Sequence, residues 1–233
     1  MAKKCNQRSA MRRLFIIVEG QTEKEFVEKS LKRYFLSHGI FDVRAIMIQT
    51  SKGHKGGFVN YEHLKNDIRR ILDSESNVIV STFVDFFKIP TNFPNFGEAK
   101  KAQHIDSKIE LLYEGIVSDI DDERFIPYIQ KHEFEALLFS SPIGFENWFD
   151  NQNMADELCA IVEKYNDPEE INTGIETAPS KRIINILEKH RQKYDKIAEG
   201  NLIAEEIGID KILEKCPRFS NWTAVLIEKI KNN

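Results

Sequence analysis

Residues 15–26 read FIIVEGQTEKEF. Four apolar residues run straight into Glu19, a glycine follows, and Glu23 and Glu25 come next. With Arg13 and Leu14 in front, RLFIIV (13–18) has the length and the β-branched content of a buried strand. Directly behind it, TEKEFVEKSLKRYFL (22–36) places Phe26, Leu31 and Phe35 among charges at helical spacing. His38-Gly39 reads as the end of that helix. A buried strand that ends on a carboxylate just where a helix begins has two readings. Either the acids cap the helix, or they are aimed at a cation.

Working outward, the same strand–helix unit recurs. FDVRAIMI (41–48) reads as a second strand and TSKGHKGGF (50–58) as a glycine-rich basic loop. YEHLKNDIRRIL (61–72) reads as a second helix, with Leu64, Ile68, Ile71 and Leu72 on one face. NVIVSTFV (77–84) is a third strand that again meets an acid, Asp85. FFKIPTNFPNFG (86–97) reads as an ordered loop, 98–117 as a third helix, and FIPYIQ (125–130) as a fourth strand leading into KHEFEALLF (131–139). The alternation predicts an α/β fold, a mostly parallel sheet flanked by helices. Beyond about residue 145 the pattern turns helical, over 178–190, 201–213 and 219–230. The expected organisation is a basic leader over 1–12, an α/β domain over 13–144, and a helical extension over 145–233 packed on it.

Composition narrows the function. The chain has 233 residues, 41% of them hydrophobic, enough for a sizeable core. No apolar run approaches the ~20 residues that a bilayer span needs. The basic leader MAKKCNQRSAMRR lacks an apolar signal region. The expectation is a soluble, cytoplasmic protein with no membrane partner. Cys5, Cys159 and Cys216 form no C-x-x-C pair, which argues against a disulfide framework or a zinc ribbon. The net charge of −4 is not the overall balance of a dedicated nucleic-acid binder. Any contact with nucleic acid must therefore rest on local basic features.

The acids at the strand ends carry the chemistry. In a doubly wound sheet of order 2-1-3, strands one and three are neighbours, and ligands bind beyond their carboxyl ends. That order brings Glu19 and Asp85 together. Two carboxylates there repel unless a proton or a cation lies between them, and an oxygen-rich cluster suits Mg²⁺ or Mn²⁺. The turn E-G-Q-T-E has one glycine and no lysine, unlike a phosphate cradle. The structural alternatives are specific. Thr22 with Glu25 fits a capping box, Glu23 suits the first turn of a helix dipole, and Asp85 suits an Asx-type bend. Capping does not account for Glu19, which precedes the cap.

A third acidic element is HEFE (132–135). Glu133 and Glu135 share a face if this segment is extended; if it is helical they diverge by about 200°, and only one reaches a metal. His132-Glu133 does not complete H-E-x-x-H, because position 136 is Ala136. Candidate phosphate-binding groups are Lys52, His54 and Lys55 in the glycine loop, and Lys181 with Arg182 in APSKR. Ser180 reads as a cap for the helix that follows.

IVEGQTE, GHKGGFVNYEHLKNDI, VDFFKIP, PYIQKHEFEALLF, EEINTG, APSKR and CPRFSNW together resemble a prokaryotic family catalogued as domain-of-unknown-function family 4276. The resemblance runs from about Arg13 to about Trp222. That family is Toprim-like, similar to the nuclease domains of overcoming-lysogenisation-defect proteins and to small partners of ABC-type ATPases in phage-defence loci. The resemblance implies a Toprim fold in which Glu19 matches the Toprim glutamate, Glu23 the second acid of E-x-x-x-D/E, and Asp85 the first position of D-x-D. The departure is Phe87, which stands where the second aspartate is expected; Glu133 or Glu135 is the candidate replacement, and Lys181 the candidate nuclease lysine. The function implied is a Mg²⁺- or Mn²⁺-dependent nuclease acting on DNA in preference to RNA, working with a partner ATPase in phage defence or DNA processing. Its rivals are a non-catalytic regulatory subunit of the same fold and a metal-dependent hydrolase of a small phosphoester.

Overall fold

RLFIIV forms β1 (Arg13–Val18), and every residue after Arg13 is buried. The following helix starts at once. It comprises α1 (Gln21–Phe26), a π-helical turn over Val27–Leu31, and α2 (Lys32–Ser37), closed by Gly39 at a φ of 82°. These coordinates come from a computed structural model that describes residues 12–51, 54–55, 57–172 and 174–232. The leader up to residue 11, and Lys52, Gly53 and Gly56 of the basic loop, lie outside the described residues.

β2 (Val43–Met47) pairs parallel with β1. From the π turn, the Glu28 carboxylate accepts the Ala45 backbone N–H of β2 at 3.0 Å. The expected loop is partly a small antiparallel ribbon, β3 (Gln49–Ser51) with β4 (His54–Lys55). α3 (Tyr61–Ser74) follows, capped by Asn60, whose side chain accepts the Glu62 N–H. β5 (Val78–Asp85), buried throughout, pairs parallel with the other side of β1. The expected 2-1-3 order is therefore present.

Two expected elements are divided. The third helix breaks into α4 (Phe96–Lys101) and α5 (Ile105–Ile120), with Ala102 extended between them. The fourth strand splits into β6 (Phe125–Ile126) and β7 (Ile129–Gln130), both parallel to β5. Pro127 has no N–H for the ladder, and Tyr128 pairs instead with the side chain of Thr82, its N–H bonding to Thr82 Oγ1 at 2.9 Å.

The helical region begins with α6 (Ile143–Trp148) and α7 (Gln152–Lys164), which the apolar pattern did not reveal. α8 (Pro179–Lys189) and α11 (Pro217–Lys231) lie close to expectation. The expected 201–213 helix is two, α9 (Ala198–Ile207) and α10 (Ile209–Lys215), because Gly208 sits at a φ of 79°. Among the described residues, no helix is long and apolar enough to cross a membrane.

Strand alternation sends β1 and β5 side chains to two apolar layers. Phe15, Ile17, Val78, Val80 and Val84 face α3 and α5. Leu14, Ile16, Val18, Ile79 and Phe83 face the opposite layer, a core that includes residues on both sides of residue 145. Phe26 of α1 lies at its centre, 6.1 Å from Phe83, 5.2 Å from Phe134 and 6.0 Å from Phe219 between ring centroids. Such aromatic pairs contribute about 0.5–1.5 kcal/mol each beyond area burial. They tie together the first helix, β5, the segment after β7 and α11.

Candidate active site

The pairing of β1 with β5 ends at Val18 and Phe83, so Glu19 leaves the sheet alongside the Val84–Asp85 end of β5. Asp85 and Glu23 are buried, and the Glu19 side chain is 12% exposed. Glu23 folds back over the turn: a Cβ added to Gly20 would lie 3.1 Å from Glu23 Oε2. Glycine at 20 therefore makes room for the carboxylate. The Thr22–Glu25 capping box expected here does not form. The helix starts at Gln21 with Gly20 as its N-cap, so Thr22 already lies buried inside the first turn. Glu25 instead accepts from Gln21 and Lys29, both at 3.1 Å.

The HEFE segment resolves its two glutamates by geometry. Glu133 is extended (φ −154°, ψ 168°) and precedes a 3-10 turn, Phe134–Ser140. Its Oε1 accepts the Ser180 N–H at 2.6 Å, so Glu133, not the Ser180 side chain, serves the first turn of α8. Glu135 turns inward and is wholly buried. The Lys196 ammonium lies 3.0 Å from Glu135 Oε2. Lys88 Nζ, on a largely exposed side chain, lies 3.9 Å from Glu19 Oε1. Glu19 Oε2, Asp85 Oδ1 and Glu135 Oε1 are buried without a hydrogen-bond partner, which is costly for a polar atom.

The electrostatics follow from burial. Asp85 is pushed well above the usual carboxylate range by burial first, then by Glu23 and Glu19, with Lys196 opposing. Glu19 rises to about 7 through burial and the Glu23 charge, against Lys88 and Lys196. Burial also raises Glu135 to about 7, although Lys196 counters it. For Lys196, burial favours the neutral amine, but Glu135, Asp85 and Glu23 outweigh it and hold the ammonium charged. Near neutrality Glu19 and Glu135 thus retain part of their protons, which a bound cation would displace. Hard carboxylate oxygens with unmet bonding capacity fit Mg²⁺ or Mn²⁺ in donor chemistry. Among the described residues, no group of three or more His, Cys, Asp or Glu side chains is already arranged around a single ion position.

The family model described as Domain of unknown function (DUF4276) matches residues 18–227. The chain belongs to the DUF4276 family. It is similar to the C-terminal region of the Burkholderia pseudomallei OLD protein, at 14% identity, over 95% of this chain and 98% of that one, with a TM-score of 0.48. No curated protein matches it.

In this DUF4276 chain Lys181 and Arg182, singled out by sequence, have different surroundings. Lys181 is exposed on the first turn of α8. The Arg182 guanidinium donates to the Thr177 and Ile171 carbonyls at 2.8 and 3.0 Å and lies over the Tyr165 ring at 5.4 Å. It is tied into the fold. His54 and Lys55 lie in β4, where only the backbone is described; Lys52 falls outside the described residues.

Lys196, which sequence reasoning missed, stands beside Glu135. It sits in KYDKIAEG between α8 and α9, in a run with no pattern that marks it. Phe87 stacks on His132 at 5.6 Å between centroids. Burial, then the Lys131 charge, lowers the His132 pKa to about 4, so its ring is neutral at physiological pH.

Proposed function

We propose that this DUF4276 chain is a divalent-cation-dependent phosphodiesterase acting on nucleic acid. The observation that carries this reading is the meeting of Glu19, Glu23, Asp85 and Glu135 beyond the carboxyl ends of adjacent parallel strands, with three buried carboxylate oxygens left unpartnered. The sequence resemblance to Toprim nucleases at Glu19, Glu23 and Asp85 supports it.

In this reading Glu19, Asp85 and Glu135 hold Mg²⁺ or Mn²⁺, Glu135 standing in for the aspartate that Phe87 replaces. When bound, the cation supplies acidification of the attacking water and charge compensation at the scissile phosphate. Lys196 orients Glu135 and balances the cluster's charge. Lys88, near Glu19 and mostly exposed, is placed to meet a phosphate oxygen. The glycine-rich segment with Lys52, His54 and Lys55, and Lys181, extend the reading to backbone phosphates. An ABC-type ATPase partner and a role in phage defence follow from the family resemblance alone.

The test is cleavage of supercoiled plasmid, linear duplex, single-stranded DNA and RNA with Mg²⁺, Mn²⁺ or EDTA, beside Glu19→Gln. Metal-dependent cleavage that disappears in Glu19→Gln while the fold survives is the expected result. Calorimetric cation binding without cleavage of any substrate would favour the regulatory subunit instead, a reading to which the loss of the second aspartate at Phe87 lends weight. Hydrolysis of a small phosphodiester that excess DNA does not compete away would favour the third reading, in keeping with the net charge of −4.

A further inference from the structure

Asp85 ends β5, and the single 3-10 turn Phe86–Lys88 lifts Phe87 to 43% exposure. A lone exposed apolar residue is ordinary. Phe87 differs in how it is held. Its ring lies on the His132 imidazole at an interplanar angle of 28°. His132 is itself buried, and its φ of 69° lies in the left-handed region that non-glycine residues enter at a cost. A ring that lies on a buried imidazole and is still 43% exposed has surface left for a ligand.

Two more exposed apolar side chains lie within two residues of groups that contact the site, each in a different segment. Val59, 73% exposed, comes two residues after Gly57, whose N–H bonds to the Glu19 carbonyl at 3.0 Å. Ile197, 41% exposed, follows Lys196 directly. An exposed aromatic ring two residues from Asp85 is a poor match for duplex, whose outer face is phosphate. It matches a strand whose bases are unstacked and free to lie on an aromatic ring. Two residues span at most ~7 Å, about two base steps of ~3.4 Å. A base beside a phosphate at Asp85 is therefore within reach of Phe87.

We propose that Phe87, backed by His132, is a stacking platform for an unpaired base next to the scissile phosphate, and that it makes the protein selective for single-stranded or locally unpaired nucleic acid. This rests on the phosphodiesterase reading and adds its substrate class.

The test is fluorescence anisotropy with labelled oligothymidylate and with a blunt hairpin duplex of the same length, using Ca²⁺ in place of Mg²⁺ to suppress turnover. Wild-type protein binds the single strand more tightly. Phe87→Ala loses about tenfold in affinity for oligothymidylate, the scale of one stacked base, and keeps its duplex affinity. Phe87→Tyr retains wild-type binding. Circular dichroism and the urea midpoint show that the variants are folded. An unchanged oligothymidylate affinity in Phe87→Ala, an equal loss on duplex, or a Tyr variant as weak as the Ala variant overturns the platform alone, provided the wild type binds or cuts nucleic acid. A wild type that neither binds nor cuts any nucleic acid overturns the phosphodiesterase reading, and the platform with it.

Discussion

The Lys196 ammonium and the Glu135 carboxylate stand 3.0 Å apart, joining the segment before α9 to the turn that follows β7. Glu135 is wholly buried and Lys196 is 39% exposed. Lys196→Met strands a buried carboxylate. The expected cost is ~2 kcal/mol at pH 8, less than the ~3–5 kcal/mol for breaking a fully buried pair, because solvent reaches Lys196. Adding Glu135→Gln to Lys196→Met recovers most of the loss. Urea unfolding of the two single variants and the double variant measures both.

Asp85→Asn separates function from stability. Burial and the Glu23 and Glu19 charges raise the Asp85 pKa, so the folded chain holds this proton to higher pH than the unfolded chain does, which penalises the native state above the unfolded value. The amide removes the penalty. We expect the melting temperature in EDTA to rise by about 3–6 °C, the scale of 1–2 kcal/mol in a chain of this length, while cation binding and cleavage are lost. An unchanged or lower melting temperature would contradict the burial argument.

The pH dependence has a definite sign. Glu19 and Glu135 release their protons at about 7 in the folded protein, against 4.5 for the same groups in water. Between these values the folded state binds more protons than the unfolded state, so their contribution to stability falls as pH rises through this window and is flat above it. Relative to Glu19→Gln, wild-type protein should gain roughly 2 kcal/mol between pH 7 and pH 5. Carboxylates such as Asp42 and Asp122, whose pKa values are lowered, act in the opposite sense at more acidic pH and cancel in the comparison. Saturating Mn²⁺ should abolish the difference near neutrality by displacing the protons. Denaturant midpoints across pH, with and without Mn²⁺, check each part.

Gly20→Ala tests the position of Glu23. Gly20 is extended (φ −144°), so alanine brings no backbone strain. The added Cβ would crowd Glu23 Oε2 at 3.1 Å and turn that carboxylate away. Stability should change by less than ~1 kcal/mol, while Mn²⁺ affinity falls about tenfold, within the range for an outer group around a metal. Calorimetry of Mn²⁺ binding, read beside urea midpoints, separates the two effects.

Much of the fold was legible because β1 and β5 are continuous apolar runs, and parallel crossovers leave few ways to arrange them. Glu19 and Asp85 could be picked out for the same reason: each is a charge directly abutting buried strand. The capping box misled because capping patterns are short, and glycine at 20 let the helix begin before Thr22. The choice between Glu133 and Glu135 could not be made from spacing, since it depends on a 3-10 turn starting at Phe134. Lys196 was invisible. Nothing in its neighbours distinguishes it from Lys193, and its partner becomes known only when the chain's return across the sheet is known. The break at Gly208 and the interruption at Pro127 were single-residue events inside apolar stretches that read as continuous.

The candidate site is assembled from parts far apart in order of synthesis. Glu19, Glu23 and Asp85 leave the ribosome first, Glu135 later, and Lys196 last of the five. Until Lys196 docks, Glu135 has no ammonium beside it, and the Asn201 amide that bonds to the Thr22 carbonyl at 3.2 Å has not arrived. A chain still being made therefore holds acids that repel one another and lack their internal counterion. On the proposed reading, the cluster gains its internal counterion only once synthesis has passed Lys196.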